Sequence, residues 1–352
     1  MKYIVIGIGC FFLICGCKTQ KQITPTIEPS RTEVALSDDS DFKMPEVEIG
    51  FYNVENLFDT EDDPTTKDED WTPDGRQKWD TERYTKKIDQ ISKVIEAMNA
   101  PLIMGLCEVE NGAVLKDLVN SSTLKKYNYD FIHFTSADRR GIDNALIFQT
   151  EKIKILSKKN IRFDFPDNIA KNYTSRDLLI VHAQMYGRKI HFLVNHWPSR
   201  RGGVEASEPK RTFVASEVRK AVDSLLKISP NLIIMGDFND EPHNKSIHEV
   251  LGAKSLTEPG DLKNLFLAKK EMGEGSYNYR GNWNMLDQII VSENMSTKND
   301  GIFAHDPEIF KEDWMTYDDK KRGKVPNRTY GGPNYYGGFS DHFPVKIDLI
   351  FQ

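Results

Sequence analysis

Asn231-Leu-Ile-Ile-Met-Gly-Asp-Phe-Asn239 sets an uninterrupted apolar run directly before a glycine, an acid and an amide. A short run of this kind predicts a buried strand, and the polar residues mark where it ends. In extended backbone Asp237 and Asn239 lie two apart and project to the same side. A carboxylate there can orient a nucleophilic water, and a neighbouring amide can donate to a phosphoryl oxygen without adding negative charge. A plain strand-terminating turn, which Asp and Asn also favour, is the alternative.

The same arrangement recurs along the chain. Pro45 to Asn53 alternates as a strand and delivers Asn53 and then Glu55. Pro101-Leu-Ile-Met-Gly-Leu-Cys107 runs into Glu108, Lys189 to Val194 into Asn195-His196, and Ser340-Asp341-His342 precedes the alternating Phe343 to Ile350. Tyr129 to Phe134 reads as a strand, the basic turn Asp138-Arg-Arg-Gly141 follows, and Asp143 opens the run Ala145 to Phe148. Leu178 to Ala183 pairs with Lys189 to Val194 through a turn at Tyr186-Gly187, and Leu286 to Val291 carries Asp287 near its start. Helical spacing spans Glu82 to about Met98, capped by Asp80 or Thr81, and Glu208 to Leu226. Strands interleaved with few helices predict an α/β chain of packed sheets with helices outside, its polar strand ends gathered on one rim.

The chain has 352 residues, with 47 Lys and Arg against 53 Asp and Glu, a formal net charge of −6. Met1 to Cys17 carries one positive charge and then an apolar run too short to span a bilayer comfortably, which predicts an export signal. Ile14-Cys15-Gly16-Cys17 resembles a bacterial lipobox, so residues 1–16 are expected to be removed and Cys17 to carry lipid; an ordinary secretory signal is the alternative. Losing Lys2 takes 47 basic residues to 46 against 53 acidic ones, a net charge of −7. So acidic a chain does not attract polyanions through its global field, and phosphate binding requires a local basic patch or a metal. Cys10 and Cys15 leave with the signal, so Cys107 is the one free thiol expected and no intramolecular disulfide forms. Residues 17–44, rich in Thr, Gln, Pro, Ser and acids, predict a disordered tether, and residues 45–352 a single domain.

Glu108 reads either as an exposed acid at a strand end or as a metal ligand. Hard oxygen ligands on separate segments suit Mg²⁺ or Mn²⁺, whereas no cysteine pair or histidine spacing favours zinc. His196 is followed by Arg200 and Arg201 in a glycine-containing loop, which can grip a phosphodiester or stand as solvated surface charge.

Tyr52-Asn-Val-Glu-Asn-Leu57, Glu108, Asn195-His196, Gly236-Asp-Phe-Asn239, Leu286-Asp-Gln-Ile289 and Ser340-Asp-His-Phe-Pro344 stand in the order characteristic of the endonuclease/exonuclease/phosphatase superfamily, which the chain resembles from about residue 45 to its end. The resemblance implies a four-layer αββα sandwich, an active site at one rim and metal-dependent hydrolysis of phosphoesters. It makes Glu108 the principal metal ligand, with Asn53, Glu55 and Asp341 around the ion or its waters. Asp237 then resembles the group that orients or deprotonates the attacking water, and Asn239 the amide that holds the phosphate. His342 resembles the histidine that bonds the scissile phosphate, with Asp287 as its partner, and His196 a second histidine, with Asp143 where its acid would be. Asn195, Arg200 and Arg201 are expected on the substrate.

The chain also departs from parts of that superfamily. Asp240-Glu241 and Met285-Leu-Asp-Gln288 do not match the inositol-polyphosphate phosphatases, and Gly141 replaces a tyrosine of the deoxyribonuclease branch, a contact that Arg139 or Arg140 could supply. The long connection from Val291 to Ser340 mixes aromatics with Lys320-Lys-Arg322 and Arg328, suiting either a substrate-selecting loop or a lid packed on itself. The expected function is a lipid-anchored, monomeric nuclease on the periplasmic or surface side of a bacterial envelope. The rivals are a phospholipid (sphingomyelinase-like) or small-molecule phosphoesterase, and a non-catalytic binding lipoprotein.

Overall fold

Two β-sheets packed face to face bring the polar strand ends to one edge of the molecule. The computed structural model describes residues 45–298 and 301–352. The signal and tether expectations fall on residues 1–44, outside the described residues. In chain order the strands are β1 (Glu46–Leu57), β2 (Ile103–Val109), β3 (Tyr129–His133), β4 (Asp143–Gln149), β5 (Ile153–Ile161), β6 (Leu178–Met185), β7 (Arg188–His196), β8 (Leu232–Asp237), β9 (Ala253–Lys254) and β10 (Leu262–Asn264). There follow β11 (Tyr277–Tyr279), β12 (Asn282–Asn284), β13 (Asp287–Ser292), β14 (Ile302–Ile309), β15 (Thr316–Asp319), β16 (Gly323–Pro326), β17 (Tyr330–Gly331), β18 (Asn334–Tyr335) and β19 (Val345–Phe351). The helices are α1 (Thr81–Ala97), α2 (Gly112–Val119), α3 (Asp167–Ala170), α4 (Val204–Leu225) and α5 (Leu267–Glu271).

One sheet runs β14-β19-β1-β2-β4-β3 and the other β5-β6-β7-β8-β13-β10-β9. The β1–β2 and β7–β8 pairs are parallel, and antiparallel neighbours flank them. Ile88, Ile91, Val94 and Ile95 of α1 and Val114, Leu115 and Leu118 of α2 are buried with the first sheet, while Val214, Val218 and Val222 of α4 pack on Leu193, Leu232 and Ile234 of the second. The result is the four-layer αββα sandwich. Between the sheets, a Cβ on Gly105 would lie 2.6 Å from Met235 Sδ, so glycine permits the close approach there. A Cβ on Gly236 would collide with the Asn195 backbone, so the glycine before Asp237 lets β7 and β8 lie side by side at the rim.

Asp80 is the α1 cap, its carboxylate accepting from Arg83 N at 2.9 Å. Helix α4 starts at Val204, earlier than the Glu208 expected from spacing, and carries Pro209 inside it. Ser207 Oγ donates to Gly203 O and Arg211 Nη2 donates to Val204 O around that first turn. The long connection before Ser340 is not irregular throughout: β14 joins β19 as an edge strand, with a register shift between His305 and Glu308 at Pro307. Proline within the run hid that strand from a periodicity reading.

Candidate active site

Breaks in strand register aim the acids. The β1–β2 and β2–β4 ladders both shift at the rim, and Glu55, Asn56 and Glu108 take φ of 51°, 52° and 63° there. Such bulges re-aim a side chain at the end of a strand. Asn56 N donates to Glu108 Oε2 at 3.0 Å, and Glu108 Oε1 lies 3.9 Å from His196 Nε2.

Asp237 sits at the centre. Its Oδ2 accepts from Asn53 Nδ2 at 3.1 Å and lies 3.6 Å from His196 Nε2 and 4.0 Å from His342 Nε2, while Oδ1 accepts from Asn239 N at 2.9 Å. Burial pushes its carboxyl above the usual carboxylate range, although the His342 charge pulls the other way. Asn239 Nδ2 donates to Trp197 O at 3.1 Å.

His342 and Asp287 form a hydrogen-bonded pair across the two sheets, Nδ1 to Oδ2 at 2.6 Å. Ser276 Oγ donates to the same oxygen at 2.5 Å, and the Tyr277 ring lies 4.7 Å from the imidazole. Burial opposes a charge on His342, but Asp287, Asp237 and Asp341 outweigh it and raise its pKa well above the ordinary value. Ser276 and Tyr277 are absent from the sequence-derived set; the short alternation Ser276-Tyr-Asn-Tyr279 before Arg280-Gly281, a hairpin signal, is the trace they leave.

The second pairing is not formed. Asp143 binds His133 Nε2 and Ser136 N, both at 2.9 Å, and His196 Nδ1 is buried without a hydrogen-bond partner. Burial first, then the Arg176 and Arg140 charges, push His196 well below its ordinary value, so its ring is neutral. Asp143 opens β4 beside β3, and His133 on β3 captures it. Arg176, missed by sequence reading, donates Nη1 to Asp138 at 3.2 Å and Nη2 to Trp197 O. Asn195 is also turned inward, Oδ1 accepting from Trp197 Nε1 at 3.0 Å, which leaves it a structural role rather than one on the substrate.

Around these groups lies a cleft of about 650 Å³, lined by Arg140, Arg200, Arg201 and Arg328 and by Tyr277 and Tyr279. Arg200 is fixed by Asn239 O at 2.7 Å and Asn284 Oδ1 at 3.1 Å, while Arg201 is exposed. Of the two basic residues at the turn, Arg140 lines the cleft and Arg139 binds Asn172 O at 2.9 Å instead, because Asp138 holds Arg140 through its amide and Nε. Arg328 Nη2 donates to Asp341 Oδ2 at 2.7 Å.

The donor set at Glu108 fits a hard divalent cation: Glu108 Oε1 accepts no hydrogen bond among the described residues, and the Asp341 carboxylate lines the same cleft. Asp237, Asp287 and His342 also bring ligand atoms within 4.8 Å of one another. In that group Asp287 Oδ2 and His342 Nδ1 already bond each other. Glu55 lines the cleft, but both its oxygens accept amides, from Thr329 at 2.6 Å and Tyr330 at 3.3 Å, which turns them from the ion to that segment.

An αββα sandwich whose rim combines acids, two histidines and arginines defines a metal-dependent phosphoester hydrolase. The sequence matches the Endonuclease/Exonuclease/phosphatase family over residues 48–350, and the chain belongs to that family. Among solved structures it is similar to a family protein from Bacteroides thetaiotaomicron, with 18% identity and a TM-score of 0.56 over 88% of this chain and 100% of that one. It is similar too to Bacteroides thetaiotaomicron VPI-5482 mannosyl-6-phosphatase, with 18% identity and a TM-score of 0.55 over 87% and 100% of the chains. D. rerio TDP2 complexed with single strand DNA product gives 15% identity and a TM-score of 0.54 over 86% and 98%. These likenesses show the fold. No curated protein matches the sequence.

Proposed function

We propose that this phosphoesterase hydrolyses phosphodiester bonds of nucleic acid outside the cytoplasm. In this reading it is a monomer, anchored to the bacterial envelope by lipid on Cys17, and uses Mg²⁺ or Mn²⁺. The observation that carries it is the cleft, where four arginines and two tyrosines surround Asp237 and His342 in an otherwise acidic chain. Arginines contact backbone phosphates and tyrosines stack bases.

A cation held by Glu108 and Asp341 would neutralise charge that develops on the phosphoryl group. Asp237, its basicity raised by burial, takes the proton of the attacking water. Asn53 holds the acting oxygen of Asp237 in place. His342, kept charged by Asp287, donates to a phosphoryl oxygen, and the second N–H of the Asn239 amide does the same. His196 contributes a neutral N–H on the other side of Asp237.

The volume of the cleft favours a second reading, since about 650 Å³ also suits a whole small phosphoester. A hydrolysis panel separates the two: plasmid DNA, RNA, sphingomyelin vesicles, bis-p-nitrophenyl phosphate and a sugar phosphate, each with Mg²⁺, Mn²⁺ or EDTA. Cleavage of DNA or RNA that EDTA abolishes is expected. Turnover of only the lipid or the sugar phosphate overturns the nuclease reading and leaves the family assignment standing.

A further inference from the structure

Behind one wall of the cleft lies an ionic assembly that the hydrolytic chemistry does not use. Lys87 of α1 is fully buried, and its Nζ donates to Thr329 Oγ1 and to Phe339 O, both at 2.6 Å. Glu55, also buried, accepts the Thr329 and Tyr330 amides of the same segment. On the same face of α1, Gln90 Nε2 donates to Gly337 O at 2.8 Å and the Arg83 guanidinium lies 4.3 Å from the Tyr335 ring centroid. Tyr330 packs against Trp71 and Trp79. Residues 328–339 are thus strapped along a helix. At the strap's start, the Arg328 guanidinium lines the cleft, with Nη2 on Asp341 and Nε 3.7 Å from Glu55 Oε1.

Buried ionisable groups are a costly way to hold a loop, since apolar packing does so without desolvation. What these hydrogen bonds add is register, because Glu55 accepts the Thr329 and Tyr330 amides and Lys87 donates to Phe339 O. A slip of one residue in extended chain would turn Arg328 to the opposite side.

We propose that Lys87 and Glu55 are positioning residues: they lock the strap in the register that presents Arg328 beside Asp341, where its guanidinium binds a phosphate oxygen of the substrate. The proposal rests on the phosphoesterase reading and adds the device that sets substrate affinity. Glu55 thereby acts on the strap rather than as a metal ligand.

The test is a double-mutant cycle on the full chain, with steady-state hydrolysis of bis-p-nitrophenyl phosphate in Mg²⁺ and in Mn²⁺ for wild type, Lys87→Met, Arg328→Ala and the double variant. Lys87→Met is expected to raise KM about tenfold, the effect of losing one hydrogen bond to a charged group, with kcat changed far less. In the Arg328→Ala background the same substitution should add almost nothing. An equal KM increase in both backgrounds, or a folded Lys87→Met with wild-type KM, overturns the proposal. Should Lys87→Met not fold, Thr329→Val removes the hydroxyl partner while keeping both buried charges, and the same cycle with the same outcomes decides. A wild type inactive on every phosphoester would instead sink the functional reading, and the strap's role in affinity with it; additivity with an active wild type sinks the strap's role alone.

Discussion

His342 and His196 approach the same oxygen of Asp237, at 4.0 Å and 3.6 Å, yet their surroundings shift their pKa values in opposite directions. Behind His342 stands Asp287, with Ser276 fixing the carboxylate. Behind His196 no acid among the described residues bonds Nδ1, and Arg176 and Arg140 add positive charge to the cost of burial. Equal burial therefore produces a charged donor on one side and a neutral ring on the other. At equal depth, what lies behind the imidazole decides whether the cost of burial is overcome.

The largest effect is expected at the group both histidines share. Asp237→Asn should lower kcat on bis-p-nitrophenyl phosphate about 10³-fold, within the range for losing a general base, with KM little changed. A loss below tenfold would remove Asp237 from the centre of the comparison. Next, the two sides should respond unequally. His342→Ala and Asp287→Asn should each cost about 10²-fold in kcat, as losing a charged transition-state donor does, and His196→Ala about tenfold. Asp143→Asn should stay within about twofold, since its carboxylate serves His133 and Ser136. Equal losses for Asp143→Asn and Asp287→Asn would restore the symmetrical pair of dyads.

The smallest effect sharpens the role of burial by itself. His191 is buried on β7, stacked 4.3 Å from His182 and away from the cleft, and both of its ring nitrogens lack partners. Burial first, then the His182 and Lys159 charges, push it from an ordinary 6.5 down to about 4. The unfolded chain then binds a proton between pH 6.5 and about 4 that the folded chain refuses, so stability is full above 6.5 and falls as pH drops through that window. His191→Phe should flatten this fall, and the wild-type Tm relative to the variant should decrease between pH 7 and pH 5. A constant difference would show that His191 does not titrate on unfolding in that range.

Much of the rim is legible in the chain because it follows from local order. An apolar run ending in Gly236-Asp237, or in Cys107 before Glu108, must place its polar residue at a strand end. Asp287 and His342 lie 55 residues apart and are named as partners through family resemblance, and the contact itself joins two sheets. The Asp143 pairing fails because His133, ten residues upstream, is the nearer base once β3 lies beside β4. Arg139 and Arg140 look alike in sequence, and the Asp138 carboxylate separates them only in three dimensions.

By itself the sequence determined the alternation of strands and helices, the acidic balance, and which residue types stand at the strand ends. Those properties depend on neighbours a few positions away. Only the tertiary structure decided which acid backs which histidine, that His196 is neutral, that Glu55 holds a strap, and which arginines face the cleft. Those outcomes depend on burial and on charges brought together from distant segments, through fields that act across space and not along the chain.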